Sequence, residues 1–353
     1  MRKHLTLILV VAFSSLLLAG CFQGEQSLPD IDPPQNAEAV DGSEQSSTTE
    51  DENVDGEVES NQTVERQLYL LDSNGLVAPQ SIELPVPESK EVATQLLEYL
   101  VKDGPVTSLL PNGFQAVLPA DTEILGASIE DGTITVDLSE EFKEYQASEE
   151  MRILEAMTFT LTQFDNVERV KLRVDGEDLQ VMPVDGTPIA NGYTRANGIN
   201  IIESDTVDLI NSQTVTMYYP TEHNDTEYFV PVTRYVNVEN DDVHLAIVQA
   251  LIEGPTYETN LMQVFDERTV LLDEPKLNSG VLELVFSQEI LKDMENGVIS
   301  DQVMETIVRT LTEQENIQAV DVKVENVEQI ANENGEVYTE PVTRDVFVPS
   351  EKL

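Results

Sequence analysis

Apolar and polar positions fall into two periods that trade places along the chain. Val92, Leu96 and Leu100 lie on one line, and Ala93, Leu97 and Val101 on the next. That spacing predicts an amphipathic helix over about 89–102, stopped by Gly104-Pro105. The period then drops to two. A strand is predicted over 124–129, a tight turn at Asp131-Gly132, and a return strand with Ile134, Val136 and Leu138 pointing inward. Met151, Leu154, Met157, Leu161 and Phe164 make the stripe of a second helix. Val170, Leu172 and Val174, alternating with Lys171 and Arg173, close the unit as a strand. Extended segments at 68–71 and 82–86 precede it.

The same pattern is then written again. Val243, Ile247 and Leu251, beside Val248 and Ile252, precede a second Gly254-Pro255. Asn278-Ser279-Gly280 leads into Leu282, Leu284 and Phe286. Val303, Ile307 and Leu311, beside Met304 and Val308, repeat the second helix, and Val320, Val322 and Val324 the closing strand. Extended segments at 215–219 and 229–238 stand before this copy. Thr160-Leu161-Thr162 recurs as Thr310-Leu311-Thr312, and VDLSEEF around Ser139 as LVFSQEI around Ser287, each about 150 residues on. The order implies two tandem domains, 66–190 and 212–349, with a connector at 191–211, each expected to carry its own core. Each reads helix, strand, strand, helix, strand. The fold class is α+β, two helices on a small sheet built twice, with one sheet face buried and one polar face open to solvent or a partner.

Residues 1–20 do not fit this pattern. Arg2 and Lys3 precede a short apolar run that ends in small residues, the form of a secretory signal. Leu18-Ala19-Gly20-Cys21 resembles a bacterial lipobox. The resemblance implies a diacylglycerol thioether on Cys21 and cleavage before it, and two or more acyl chains suffice for stable anchoring. Residues 22–65 hold 13 acids and no Lys or Arg. With sparse apolar residues they read as a disordered tether whose ends average about 35–40 Å apart. The domains in the chain are therefore signal 1–20, lipidated Cys21 with its tether 21–65, and the two repeats.

Charge narrows the partners. Sixty-seven acids against 19 bases give a formal net charge of −48 over 353 residues. Such a chain repels phosphate backbones, which argues against nucleic-acid binding. Cys21 is the single cysteine, so an intrachain disulfide, a cysteine zinc site and a CxxC pair are all excluded.

Candidate chemistry is thin. No HExxH, GxSxG, GxGxxG or Walker A pattern occurs. Glu222-His223-Asn224-Asp225 reads as a polar hairpin loop more than a catalytic or metal cluster, and Asp72-Ser73-Asn74-Gly75 takes its place in the first copy. His244, beside Asp241 and Asp242, reads as a solvated helix-start residue. Hydrolysis by paired carboxylates needs two acids converging on one cleft. Glu140/Glu141 and Glu149/Glu150 are pairs, but the second copy has Gln288 and Glu289 opposite the first of them. No cofactor is expected, and the weight is against an enzyme.

The stretches LPADTEILGASIEDGTITVDLSEEF, 118–142, and TLTQFDNVERVKLRVDG, 160–176, resemble the GerMN domain. With the lipobox, the acidic tether and the tandem arrangement, the chain is similar to the GerM-like spore-germination lipoproteins. The second copy departs in lacking Pro119 and in reading LVFS for VDLS. The resemblance implies a ring-building-motif-like fold and an extracytoplasmic, palmitate-bearing lipoprotein of the outer forespore membrane. It implies a role in sporulation and efficient germination. The partners it implies are those of a mother cell–forespore channel complex, in a ring of like or unlike subunits. It carries over no catalytic residue, only the lipidated Cys21. Two other readings stand beside it. One is a ligand- or solute-binding surface lipoprotein, although such proteins show long βαβ alternation in two lobes. The other is a cortex peptidoglycan hydrolase.

Overall fold

The computed structural model describes residues 63–87, 92–202, 211–238, 242–255 and 259–347. These fall in one compact unit. Cys21, the signal, nearly all of the tether and Asp241 lie outside the described residues.

The first repeat opens with β1 (Thr63–Leu71) and β2 (Val77–Pro85), an antiparallel hairpin. β1 thus begins inside the segment read as tether. Tyr69 faces Pro79 across the ladder, and the Tyr69 N–H points away from β2, so the missing proline N–H is not needed there. α1 (Val92–Glu98) follows. The spacing predicts that this helix runs on to 102, but it unwinds after Glu98. Val101 instead forms a parallel bridge to Leu118, and the Lys102 N–H donates to the Leu118 carbonyl at 3.0 Å. Leu100 and Val101 stay buried, so the apolar stripe is satisfied by a different backbone.

β3 (Ile124–Glu130) and β4 (Thr133–Leu138) are joined by Asp131 and Gly132 at φ 46° and 73°, the left-handed pair that a tight hairpin requires. α2 (Glu150–Leu161) carries the chain to β5 (Arg169–Val174), which lies parallel to β4, and β6 (Glu177–Asp178) borders β5. The sheet order is β3-β4-β5-β6. Ile134, Val136 and Leu138 are fully buried, while Thr133, Thr135 and Asp137 between them are half-exposed. Each such buried aliphatic side chain stabilises the fold by roughly 1.5–3 kcal/mol relative to exposure.

The second repeat follows the same plan. β7 (Ser212–His223) and β8 (Thr226–Asn237) form a longer hairpin. α3 (Val243–Glu253) is capped at its start by Asp242, which accepts from the Leu245 N–H, and ends at Gly254 with φ 81°. β9 (Lys276–Asn278), β10 (Val281–Phe286), β13 (Ala319–Val324) and β14 (Val342–Thr343) make the sheet, with α4 (Asp301–Leu311) crossing from β10 to the parallel β13. A small ribbon, β11 (Leu291–Asp293) with β12 (Val298–Ile299), precedes α4. The first repeat has short 3-10 turns, Glu140–Lys143 and Ala147–Glu149, in that place.

The expectation of a separate core in each copy does not hold. Buried apolar residues from Leu68 to Val342 form one continuous cluster. β2 lies against β8, and the seam is tied by Asn200, itself 1 % exposed and at φ 48°. Its Nδ2 donates to the carbonyls of Val77 and Pro231, its Oδ1 accepts from the Val77 N–H, and its own N–H donates to Glu155 on α2. Residues 193–197, read as connector, also belong to the folded body. Tyr193 bridges Val170 on β5, and Arg195 reaches the end of α2.

Candidate functional site

The acids and histidines singled out from the sequence are each held separately. His223 ends β7, and Asn224 and Asp225 form the turn at φ 51° and 62°. Its Nδ1 lies 3.2 Å from the Ser73 hydroxyl, so the two hairpin turns meet. A Cβ added at Gly113, where φ is 87°, would fall 2.5 Å from the imidazole ring, so the left-handed backbone favours glycine there and a side chain would displace His223. A serine beside an imidazole invites comparison with a hydrolytic triad, which needs a carboxylate on the far side of the ring. Asp72 does not supply it. Its Oδ1 accepts from the N–H groups of Asn74 and Leu76, and its Oδ2 from the Tyr228 hydroxyl at 2.9 Å. The constellation is a turn-to-turn clasp.

Glu140 pairs with Lys143, and Glu149 pairs with Lys102 at 2.6 Å while closing a capping box with Gln146. Glu141 and Glu289 have lowered pKa values because the Ser139 and Ser287 hydroxyls donate to them. Gln288 reaches the Glu325 carbonyl. Glu150 is fully buried. Burial alone raises its pKa, but the N–H groups of Asp185 at 2.7 Å and Thr187 at 2.9 Å, with the Tyr145 hydroxyl at 2.8 Å, outweigh burial and lower it. It clasps the 184–187 loop to α2. His244 sits in the first turn of α3 and borders the groove described below. Among the described residues no three His, Cys, Asp or Glu side chains gather as a metal site.

The strongest electrostatic feature lies where the repeats meet. Glu313, just past α4, is gripped from both sides. Arg195 approaches its Oε1 at 2.8 Å and Arg344 its Oε2 at 2.9 Å, while the Tyr218 hydroxyl donates to Oε2 at 3.0 Å. Burial opposes ionisation of Glu313, but the two guanidiniums and the phenol prevail and hold its pKa at about 2. Arg195 also donates to the Phe159 carbonyl at the end of α2 and lies 4.5 Å from the Phe159 ring centroid. Arg344 donates to the Arg309 carbonyl on α4 and lies 5.0 Å from the Tyr218 ring. The two arginines are therefore one device used twice, a cation at a helix C-terminus. Thr194-Arg195 and Thr343-Arg344 are a further repeated landmark about 150 residues apart, legible in the sequence but missed.

Beside this cluster runs a groove of about 1120 Å³. Thr162, Arg169 and Arg195 line it from the first repeat, and Thr214, His244 and Glu315 from the second. It suits a docking contact across both repeats better than the enclosure of a small substrate, for which a site is a concave, mostly apolar pocket.

Comparison with known proteins agrees with the tandem reading. The Germane family, described as "Sporulation and spore germination", matches residues 67–180 and again 216–330. The spore germination protein GerM of Bacillus subtilis (strain 168) is 42 % identical over 345 residues, covering 94 % of this chain and 93 % of that protein. The solved structure of the tandem GerMN domains of the sporulation protein GerM from Bacillus subtilis superposes with a TM-score of 0.74 at 42 % identity, covering 82 % of this chain and 99 % of that one.

Proposed function

The chain belongs to the Germane family of sporulation and spore-germination proteins, and from that premise we propose that it is a lipid-anchored assembly protein rather than an enzyme. Cys21 carries the lipid and the acidic segment lets the folded repeats reach partners from the membrane. Held there, the repeats meet those partners at a raised effective concentration. Its place is the extracytoplasmic face of the cell membrane, the outer forespore membrane during sporulation. Its partners are the proteins of the mother cell–forespore channel, in a ring of like or unlike subunits.

One observation supports docking over chemistry. The groups that could catalyse hydrolysis are spent on structure. Asp72 orders a turn, Glu150 clasps a loop, Glu149 is tied to Lys102, and Ser73 with His223 joins two hairpins. Among the described residues, Thr133 and Thr135 on the polar face of β4 are half-exposed and open to contact. Three measurements in a sporulating host test the reading. Deletion of the gene should impair sporulation or germination, and a fluorescent fusion should collect at the forespore. Cys21→Ala should move the protein from the membrane to the soluble fraction. Normal spores after deletion, or membrane association unchanged in Cys21→Ala, would remove the corresponding half of the proposal.

A further inference from the structure

The outer edge of β7 is closed along one part of its length and open along another. The register with β8 turns the backbone N–H and C=O of its even-numbered residues away from that partner. At Tyr218 the outward N–H donates to the Thr310 hydroxyl at 3.0 Å, and at Pro220 the outward carbonyl accepts from the Met262 N–H at 2.8 Å. The next outward positions are Thr216 and Thr214. Among the described residues their outward backbone groups meet no partner; Thr214 is exposed, whereas the Thr216 side chain is buried against Thr233.

The first repeat shows what closure of this edge takes. There the Tyr69 N–H donates to the Thr160 hydroxyl, Leu71 exchanges two backbone bonds with Gln115, and the Gln67 carbonyl receives the Gln163 side-chain amide at 2.8 Å. Gln67 corresponds to Thr216 and Gln163 to Glu313. A carboxylate has no proton to donate. Glu313 is drawn instead to Arg195 and Arg344, and among the described residues nothing takes the place of the Gln163 amide at the Thr216 carbonyl.

That open edge lies in the groove between the repeats. The ionisable lining is Glu168, Asp242, Glu313 and Glu315 against Arg169, Arg195 and His244, so acids are in excess. An unpaired strand edge is a template for another strand. An acidic lining within an acidic chain selects a basic one. We propose that β7 takes up, at Thr214–Thr216, an extended segment of a partner protein that carries lysine or arginine at alternate positions. Backbone bonds to the β7 edge hold the segment, and its basic side chains meet Glu168 and Glu315. This rests on the docking role proposed above and names the surface and the chemistry of the partner.

The test uses the full chain in detergent and a fluorescent, end-blocked heptapeptide alternating lysine and valine. Binding should saturate, weaken with added salt, and slow amide hydrogen exchange at Thr214 and Thr216. A peptide alternating glutamate and valine should not bind. Thr214→Pro removes an outward N–H that no ladder bond uses, and should weaken binding about tenfold. Glu315→Lys, at an exposed site, should weaken it without touching the edge and serves if the proline variant fails to fold. The proposal is overturned if both amides are already protected in the free chain. It is equally overturned if the lysine peptide does not bind, if the glutamate peptide binds as well, or if the folded variants bind like the parent. Such a result leaves the sporulation reading standing, because that is decided in cells; normal spores after gene deletion would remove that reading and leave the edge chemistry untouched.

Discussion

Glu313 shows how a single side chain sets both a seam and a pH response. A carboxylate whose folded pKa is about 2, against an ordinary 4.5, contributes stability that is complete above pH 4.5 and is lost as pH falls toward 2. Glu155 works in the other direction. Its burial on the inner face of α2 raises its pKa despite Arg152, so its stabilising state is the protonated one, present below the ordinary carboxylate range and lost as pH rises through the raised value. Glu305 is raised for the same reason. The acid limb of stability is therefore expected to depend on Glu313 more than on Glu155 or Glu305. Glu313→Gln leaves two guanidiniums in a largely buried place without their counter-charge and should cost about 3–5 kcal/mol at pH 7. The difference from the parent should shrink between pH 4.5 and 2, as urea titrations at pH 7 and pH 3 would measure. An unchanged acid slope in the variant would contradict this assignment.

Among the elements, the repeated Thr-Leu-Thr is explained by contacts that no periodicity contains. The hydroxyls of Thr160 and Thr310 accept from the strand N–H groups of Tyr69 and Tyr218, both at 3.0 Å, and so attach each long helix to the outer edge of its hairpin. Thr162 and Thr312 donate back to the carbonyls of Thr158 and Val308 at the helix ends. Thr160→Val and Thr310→Val keep the shape but leave one buried N–H without an acceptor. Each should lose about 1–3 kcal/mol in denaturant unfolding, and the two losses should match. A large inequality would mean that the two hairpins are not anchored alike. Ser139 and Ser287 are a second matched pair, each accepting from the backbone of the neighbouring edge segment, at Glu123 and Val270. The helix–Gly–Pro landmark is not matched in this way. Gly254 is a left-handed cap whose added Cβ would strike Gln263, whereas Gly104 has an ordinary negative φ and follows a helix that has already unwound.

For the whole molecule, the continuous core and the Asn200 tie make the repeats a single cooperative body. Calorimetry should give one transition for residues 59–353, with calorimetric and van't Hoff enthalpies equal. Asn200→Ala should lower that transition temperature, because it strands the Val77 N–H and two carbonyls at the seam. Two resolved transitions in the parent chain would mean that the seam is a contact between independently melting domains. Rigidity bears on the proposed role. A partner that bridges both repeats meets a preformed surface and does not have to order it first.

Period and punctuation alone determined the main helices and strands, the duplication and the α+β class. Alternation at Ile134, Val136 and Leu138, the Asp131-Gly132 turn and the stripes of α2 and α4 are local consequences of side-chain spacing, so a linear reading reaches them. The functional family was legible too, because its landmarks are contiguous words. Tertiary structure decided what joins residues far apart. It ended α1 early by pairing Val101 with Leu118, merged two expected cores into one, and drew Arg195, Glu313 and Arg344 together from three separate segments. Among the described residues it also left the Thr216 carbonyl without the side-chain amide that Gln163 gives its counterpart Gln67, because a glutamate stands where that glutamine does. Hydrophobic period is a property of neighbours in the chain, whereas charge pairing and edge closure depend on neighbours in space.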